Sequence, residues 1–260
     1  MKMQFWSLRS GPARTEVKGE SENDPSRLVT YAQTSELQKK LVELRASDEI
    51  PDTVLFVEHL PVITRGRGLQ FTGALRPRHM PVPAQLPAGM DFSESERGGD
   101  LTYHGPGQLV VYPIFKLDGQ SPHSPQHDVG AFLRGLEKVL ISEFAALGLH
   151  AESRAEATGV WVGERKLVSL GIAIRKWVTY HGAAINVVND LEPYHLISPC
   201  GFAPEVMTRL VDLLPEFALL KNTSDWRTEL ERRLALRWLG HVGASAASPV
   251  KVRLLSDLLS

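Results

Sequence analysis

Three blocks of this 260-residue chain carry side chains whose types and spacing could do chemistry. The first is Arg97-Gly98-Gly99-Asp100-Leu101-Thr102-Tyr103-His104-Gly105-Pro106-Gly107-Gln108, with four glycines in twelve residues. Glycine lets backbone N–H groups come close to a ligand, and Arg97, Thr102, Tyr103, His104 and Gln108 add hydrogen-bonding groups. A bulged hairpin whose polar groups bond locally has the same composition. The second block, Ile197 to Phe202, holds the single cysteine, Cys200, just ahead of a helix expected from Pro204. A helix N-terminus favours thiolate over thiol, and Gly201 leaves room for a substrate carbonyl, so the pattern suits a nucleophile. A small buried apolar side chain is the other reading of Cys200. In the third block Lys166 follows the tight turn Gly163-Glu164-Arg165 and precedes Ser169-Leu170-Gly171. Beside Cys200 its ammonium would stabilise a thiolate, and as a neutral amine it would take a proton from an incoming nucleophile; alone, it reads as a solvated hairpin lysine. His181-Gly182-Ala183-Ala184 offers a further wall, or a strand-end histidine satisfied by backbone.

Other groups are less complete. His123 and His127 are four apart beside Asp128, but Pro122 and Pro125 disfavour a regular helix and no HExxH or cysteine pair completes a metal set. Arg65-Gly66-Arg67-Gly68 reads as an anion loop or a solvated turn. Neither GxxxxGK[ST] nor GxGxxG occurs. The formal charge is −1, from 29 Lys and Arg against 30 Asp and Glu, so no overall field draws nucleic acid or an acidic membrane. One cysteine excludes an intramolecular disulfide, no apolar run reaches the roughly 18 residues of a membrane span, and no secretory signal opens the chain. A reducing cytoplasm is the expected compartment.

The elements that must position these blocks follow from periodicity. Leu37, Leu41 and Leu44 fall on one helical face with Ser35 and Gln38 at capping-box spacing, predicting a helix over 31–45 that could start a turn earlier. Thr53 to Val57 and Gln108 to Phe115 read as strands, with Pro113 suggesting a bend or an edge. The stripe from Val129 to Leu147 is the clearest helix, and runs at 160–163, 167–174 and 177–188 form a meander. A helix is expected from Pro204 to before Pro215, and another after Ser224-Asp225 with Trp226, Leu230, Leu234 and Trp238 on one stripe. Residues 1–27 read as a flexible extension, 77–89 as a Pro-rich loop and 240–260 as a polar tail. Strands with flanking helices indicate an α/β (α+β) fold with mixed sheets.

Taken together, RGGDLTYHGPGQLVVYP at 97–113, GVWVGERKLVSLGIAI at 159–174, YHGAAINV at 180–187 and ISPCGF at 197–202 closely resemble the octanoyltransferase family, also called lipoate-protein ligase B. The resemblance runs from about Leu28 to Leu239. It implies the catalytic fold of biotin and lipoate protein ligases and, for 28–239, a catalytic domain. It implies transfer of an octanoyl group from octanoyl-acyl-carrier protein to a lysine of apo-lipoyl domains, those of 2-oxoacid dehydrogenase complexes and the glycine cleavage H protein, as the first step of endogenous lipoylation. At matching positions, Cys200 would carry the octanoyl thioester, and Lys166 would lower its pKa and help deprotonate the acceptor amine. Arg97 to His104, that is Arg97, Gly98, Gly99, Asp100, Leu101, Thr102, Tyr103 and His104, would line the acyl pocket with Ser169, Leu170, Gly171, Gly182, Ala183 and Ala184. No cofactor and no metal is implied, and a monomer is expected. An ATP-dependent lipoate or biotin-type ligase, a thioesterase and a non-catalytic binder of acyl or lipoyl domains are the competing readings.

Overall fold

A computed structural model of the chain describes residues 3–10, 28–70, 86–155, 157–197, 199, 202–214, 225–240 and 249–259. Strand β1 spans Met3–Arg9. Its side chains alternate, Phe5 packing with one apolar cluster and Trp6 and Leu8 with another on the opposite face. The reading of residues 1–27 as a flexible extension is therefore corrected for these seven: a short alternating strand was hidden by the charged tract that follows it.

Strand β2 (Leu28–Val29) leads into α1 (Tyr31–Ala46). The capping pair is Thr30 and Gln33, whose side chains hydrogen bond at 2.7 Å while Thr30 Oγ1 accepts from the Gln33 backbone N–H. Then come β3 (Asp52–His59), β4 (Val62–Arg65), a 3-10 turn at Arg67–Gln70, β5 (Asp91–Glu94), β6 (Leu101–His104) and β7 (Gln108–Ile114). Of the Pro-rich loop at 77–89, residues 77–85 lie outside the described residues. Helix α2 (Val129–Ala146) is capped by Asp128, whose carboxylate accepts from the Ala131 N–H at 2.8 Å. Strands β8 (Glu152–Arg154), β9 (Ala157–Val162), β10 (Arg165–Arg175) and β11 (Val178–Asn186) follow, and the last three form the expected antiparallel meander. The helix expected from Pro204 is not continuous: Pro204–Val206 is one 3-10 turn and α3 is four residues, Leu210–Leu213. Between them Met207 pairs with Lys166 of β10 as an isolated parallel bridge, which needs extended backbone. Helix α4 (Asp225–Trp238) buries Trp226, Leu230, Leu234 and Trp238 as expected. Within the expected tail, Val250–Leu254 is strand β12 and Leu255–Leu259 is helix α5, a second correction.

The main sheet runs β12-β1-β3-β7-β11-β10-β9-β8, with β2 paired to β3; β5-β4-β6 form a second, three-stranded sheet. The strands β12, β1 and β3 are parallel and the rest of the path is antiparallel. Helices cover both faces. Along β3, Val54 and Phe56 join Phe132, Leu136 and Leu140 of α2 and Leu230 and Leu234 of α4, while Leu55 and Val57 join Leu37, Leu41 and Val42 of α1. A strand covered on both sides reads as a continuous apolar run, which is why Val54 to Val57 shows no alternation in sequence. Strand β7 is central, not an edge. It tolerates Pro113 because the ladder to β11 stops at Val111 opposite Ala183, and beyond the proline Phe115 exchanges bonds with Thr179.

Candidate active site

Lys166 is the second residue of β10, which starts after the two-residue turn at Gly163-Glu164, and its side chain is turned inward. The residue is 1% exposed, which overturns the solvated-hairpin reading. Its Nζ lies 5.6 Å from the centre of the Trp161 ring, and a Cβ on Gly159 would stand 2.7 Å from its Cε. The backbone around Lys166 ties the segment after the cysteine block to the sheet, since the Thr208 N–H donates to Lys166 O at 3.0 Å. Phe202 packs edge-on against Trp161 at 5.5 Å, so one indole touches both the lysine and the end of that block. Cys200 itself lies outside the described residues. With only a 3-10 turn at 204–206, the full helix dipole expected to favour a thiolate there is absent.

A narrow cavity of about 30 Å³ lies on the α1 side of the sheet. Ten of the fourteen residues expected to line an acyl pocket line it: Arg97, Gly99, Thr102, His104, Ser169, Leu170, Gly171, Gly182, Ala183 and Ala184. The other four do not. Strand alternation turns Leu101 and Tyr103 into a small apolar cluster with Tyr194 and Met207, while Gly98 donates from its backbone to Ile172 O at 2.9 Å. Asp100 lies instead against the Gly68 backbone. Tyr31, from the first turn of α1, Tyr112 of β7 and the ring of His181 complete the lining. Nothing in the sequence marked the two tyrosines: one opens an amphipathic helix and the other sits in an apolar strand.

The glycines are there for backbone contact. A Cβ on Gly171 would meet Gly98 O at 2.8 Å, and one on Gly182 would meet Val111 O at 2.1 Å and Pro113 Cδ at 2.7 Å. Gly182→Ala should therefore force β11 away from β7 and destabilise the protein by about 3 kcal/mol, read as a shifted urea midpoint. An unchanged midpoint would show that the strands can separate at no cost.

Arg97 is buried beside the cavity and its guanidinium donates to Thr64 O and Thr64 Oγ1, both at 2.8 Å, and to Gly98 O at 3.0 Å. Around it three histidines and two tyrosines stack. The Tyr31 ring lies parallel to His104 at 6.0 Å and to His181 at 6.3 Å, and His59 contacts both Tyr31 and Tyr112. Burial holds the imidazoles neutral, reinforced by Arg97 at His104 and His181 and by Arg227 at His59: His59 falls to about 4, His181 to about 3 and His104 well below its ordinary value. Neutral rings have defined tautomers. His59 Nδ1 donates to Val29 O at 3.1 Å, so its Nε2 accepts from the Tyr112 hydroxyl at 2.9 Å. His104 Nδ1 donates to Gln108 Oε1 at 2.8 Å. His181 differs. It sits in the left-handed region at φ +57° within a strand, its N–H donates to Gln38 Oε1 at 2.7 Å, and its buried Nε2 has no hydrogen-bond partner among the described residues.

Behind the site, Glu58 Oε1 accepts from the Gly107 N–H at 2.7 Å while its Oε2 pairs with the buried Arg227 of α4 at 3.2 Å. Arg227 also pairs with Glu231 at 2.7 Å and donates to Leu8 O of β1 at 3.0 Å. His123 and His127 do not converge: His123 Nε2 bonds Trp238 O at 2.8 Å, and His127 stacks on Trp177 at 4.2 Å. Arg65-Gly66-Arg67-Gly68 packs by its backbone on the cavity loop, with Gly66, Arg67 and Gly68 N–H groups donating to Asp100 O, Arg97 O and Gly99 O.

Residues 30–225 match the model of the lipoyl protein ligase A/B catalytic domain. The chain is 42% identical to an octanoyltransferase of Dictyoglomus thermophilum over 184 residues, 70% of this chain and 73% of that one. It is also 42% identical to an octanoyltransferase of Chloroflexus aurantiacus over 202 residues, covering 76% and 86%. Among solved structures, a lipoate-protein ligase A bound with ATP superposes with a TM-score of 0.56 at 16% identity, covering 85% of this chain and 87% of that one. A bipartite lipoate protein ligase from Thermoplasma acidophilum, described with its E2 lipoyl domain, gives 0.55 at 15% identity, covering 89% and 88%. The structures share the fold, and the sequence relatives place the chain in a family: it belongs to the octanoyltransferases, within the lipoyl protein ligase A/B catalytic domains.

Proposed function

We propose that this acyltransferase takes octanoyl groups from octanoyl-acyl-carrier protein onto Cys200 and passes them to a lysine of apo-lipoyl domains, in the cytoplasm. Octanoyl transfer in protein lipoylation is the shared activity of the family; the donor, the thioester and the acceptors are this reading's own content. The observation that carries it is a buried lysine, Lys166, on the same strand as the Ser169-Leu170-Gly171 wall of a cavity built from small residues. Glycine and alanine walls present few side-chain atoms to displace as an acyl chain enters, and burial at about 0.8 kcal/mol per CH₂ would hold eight carbons with several kcal/mol.

In the first half-reaction the Cys200 thiolate attacks the thioester carbonyl, and the bond to the pantetheine sulfur breaks as that sulfur leaves and takes the proton of the Lys166 ammonium, which becomes a neutral amine. In the second, the acceptor lysine's amine attacks the enzyme thioester, an amide forms, and Cys200 departs as thiolate while Lys166 removes the amine's surplus proton. The other wall residues, with Gly98, Asp100, Leu101 and Tyr103 behind them, shape and support the acyl site. Lipoyl domains of 2-oxoacid dehydrogenase complexes and the glycine cleavage H protein are the proposed acceptors, with the enzyme acting as a monomer.

Purified protein incubated with octanoyl-acyl-carrier protein alone should gain one octanoyl increment by intact mass. The increment should map to Cys200 and be discharged by an apo-lipoyl domain without ATP. Modification of the acceptor only with free octanoate and ATP would replace this reading with that of an adenylating ligase; release of free octanoate without an acceptor would mark a thioesterase.

A further inference from the structure

The cavity opens beside a charged rim that neither half-reaction uses. Glu96, next to Arg97, accepts from the Tyr180 hydroxyl at 2.5 Å and has Lys39 of α1 at 3.8 Å and Arg67 at 3.4 Å. Arg175, at the end of β10, holds Glu43 at 3.3 Å, and Lys176 holds the same carboxylate at 2.5 Å. The side chains of Lys39, Arg67 and Arg175 are 46%, 51% and 53% exposed, so their charges face solvent. Yet they also act on the site. The Tyr180 hydrogen bond and then Lys39, Arg67 and Arg175 hold the Glu96 carboxyl below its ordinary range. Within the cavity, burial, Arg97, Lys39 and Arg67 all disfavour a charged His181.

Arg67 is not a loose surface arginine. Its N–H donates to Arg97 O at 2.9 Å, and the glycines on either side pack on Gly99, where a Cβ on Gly66 would stand 2.3 Å from Gly99 O. The Arg67 side chain thus projects from backbone fixed to the wall of the cavity. Among the described residues that pair along this rim, Lys39, Arg67, Arg175 and Lys176 outnumber Glu43 and Glu96 by four to two.

An octanoyl thioester has no charge for such a rim to attract, and an acceptor lysine arrives as a cation that gains nothing from a surplus of positive charge. A donor whose pantetheine arm carries a phosphodiester, on an acidic carrier, gains from both its phosphate and its surface. Resting on the octanoyl-transfer reading above, the geometry points to the Lys39, Arg67 and Arg175 rim as the docking surface for a phosphate-bearing, acidic acyl donor.

The test follows enzyme acylation by intact mass with octanoyl-carrier protein, octanoyl-coenzyme A and uncharged octanoyl-pantetheine, at low and at physiological salt. The double variant Lys39→Gln/Arg175→Gln should lose about tenfold in acylation rate with the carrier protein at low salt, and its salt dependence should flatten. Glu96→Gln keeps a hydrogen-bonding side chain but removes a negative charge, so it should load from the carrier about threefold faster, a gain that mere loss of structure would not produce. Octanoyl-pantetheine should be unaffected by either change. A loss shared by the coenzyme A thioester supports the rim and assigns its recognition to the phosphate. Equal losses with all three donors, unchanged loading from the carrier, or slowed discharge to a lipoyl domain with normal loading would overturn the rim as the donor surface. Acylation by none of the three would instead bring down the octanoyl-transfer reading on which it rests.

Discussion

Cys200→Ala is expected to abolish the octanoyl increment and to lower transfer to a lipoyl domain by about 10³-fold or more, at every pH. Without a sulfur there is no thioester to form, and an acceptor amine must then attack the carrier-bound donor without being held in line with it. Lys166→Met separates the lysine's role from that of the sulfur. Methionine fills the buried space beside Trp161 but brings no charge, so thiolate formation loses its electrostatic support. Acylation by this variant should be strongly reduced at neutral pH and recover as pH rises through the ordinary thiol value of about 8.5. The two profiles, measured as single-turnover acylation against pH, should diverge above that value. Wild-type acylation by Cys200→Ala would remove the cysteine from the mechanism, and a Lys166→Met profile parallel to wild type would remove the lysine.

The second large effect is on stability. His59, His104 and His181 are all held below their unfolded value near 6.5, with His59 at about 4 and His181 at about 3. Above pH 6.5 they are neutral in both folded and unfolded chains and add no pH dependence. As pH falls, the unfolded chain takes up protons that the folded one refuses, so stability drops until the folded values are reached. His59 and His181 each remove about 1.5 kcal/mol between pH 6.5 and pH 5, or roughly 3 kcal/mol for the pair, and His104 acts in the same direction; this is a large part of the stability of an ordinary domain. Urea denaturation at the two pH values should show this loss, and His59→Gln should recover about 1.5 kcal/mol of it. A flat profile would mean that the imidazoles protonate in place.

Much of this arrangement was legible in the sequence because chemistry and periodicity coincide there. Gly107 of the Arg97 block and Gly182 of the wall stand out as residues chosen for lack of a side chain, and the structure shows backbone lying where a Cβ would be, Asn189 N at 2.7 Å and Val111 O at 2.1 Å. The stripes of α2 and α4 were plain because each helix has one buried face. Burial was less visible: Lys166 reads as exposed until Trp161 and Met207 are brought over it by contacts from elsewhere in the chain. Tyr31 and Tyr112 reach the cavity only because α1 crosses β7 and β11, and a helix crossing leaves no local mark in sequence. Both chain ends were misread for the same reason, since β1 and β12 are strands chiefly by virtue of each other and of β3.

That last pairing also governs how the protein behaves in company. Strand β1 is buried between β3 and β12, so its backbone is spoken for on both sides, and the outer strand β12 sets Lys251 and Arg253 along the rim of the sheet. Charged residues on a border strand discourage a second molecule from adding its own strand there. Residues 250–254 therefore cover a strand bearing Phe5, Trp6 and Leu8 and turn its open backbone into a border that carries two cations beside the exposed Val252.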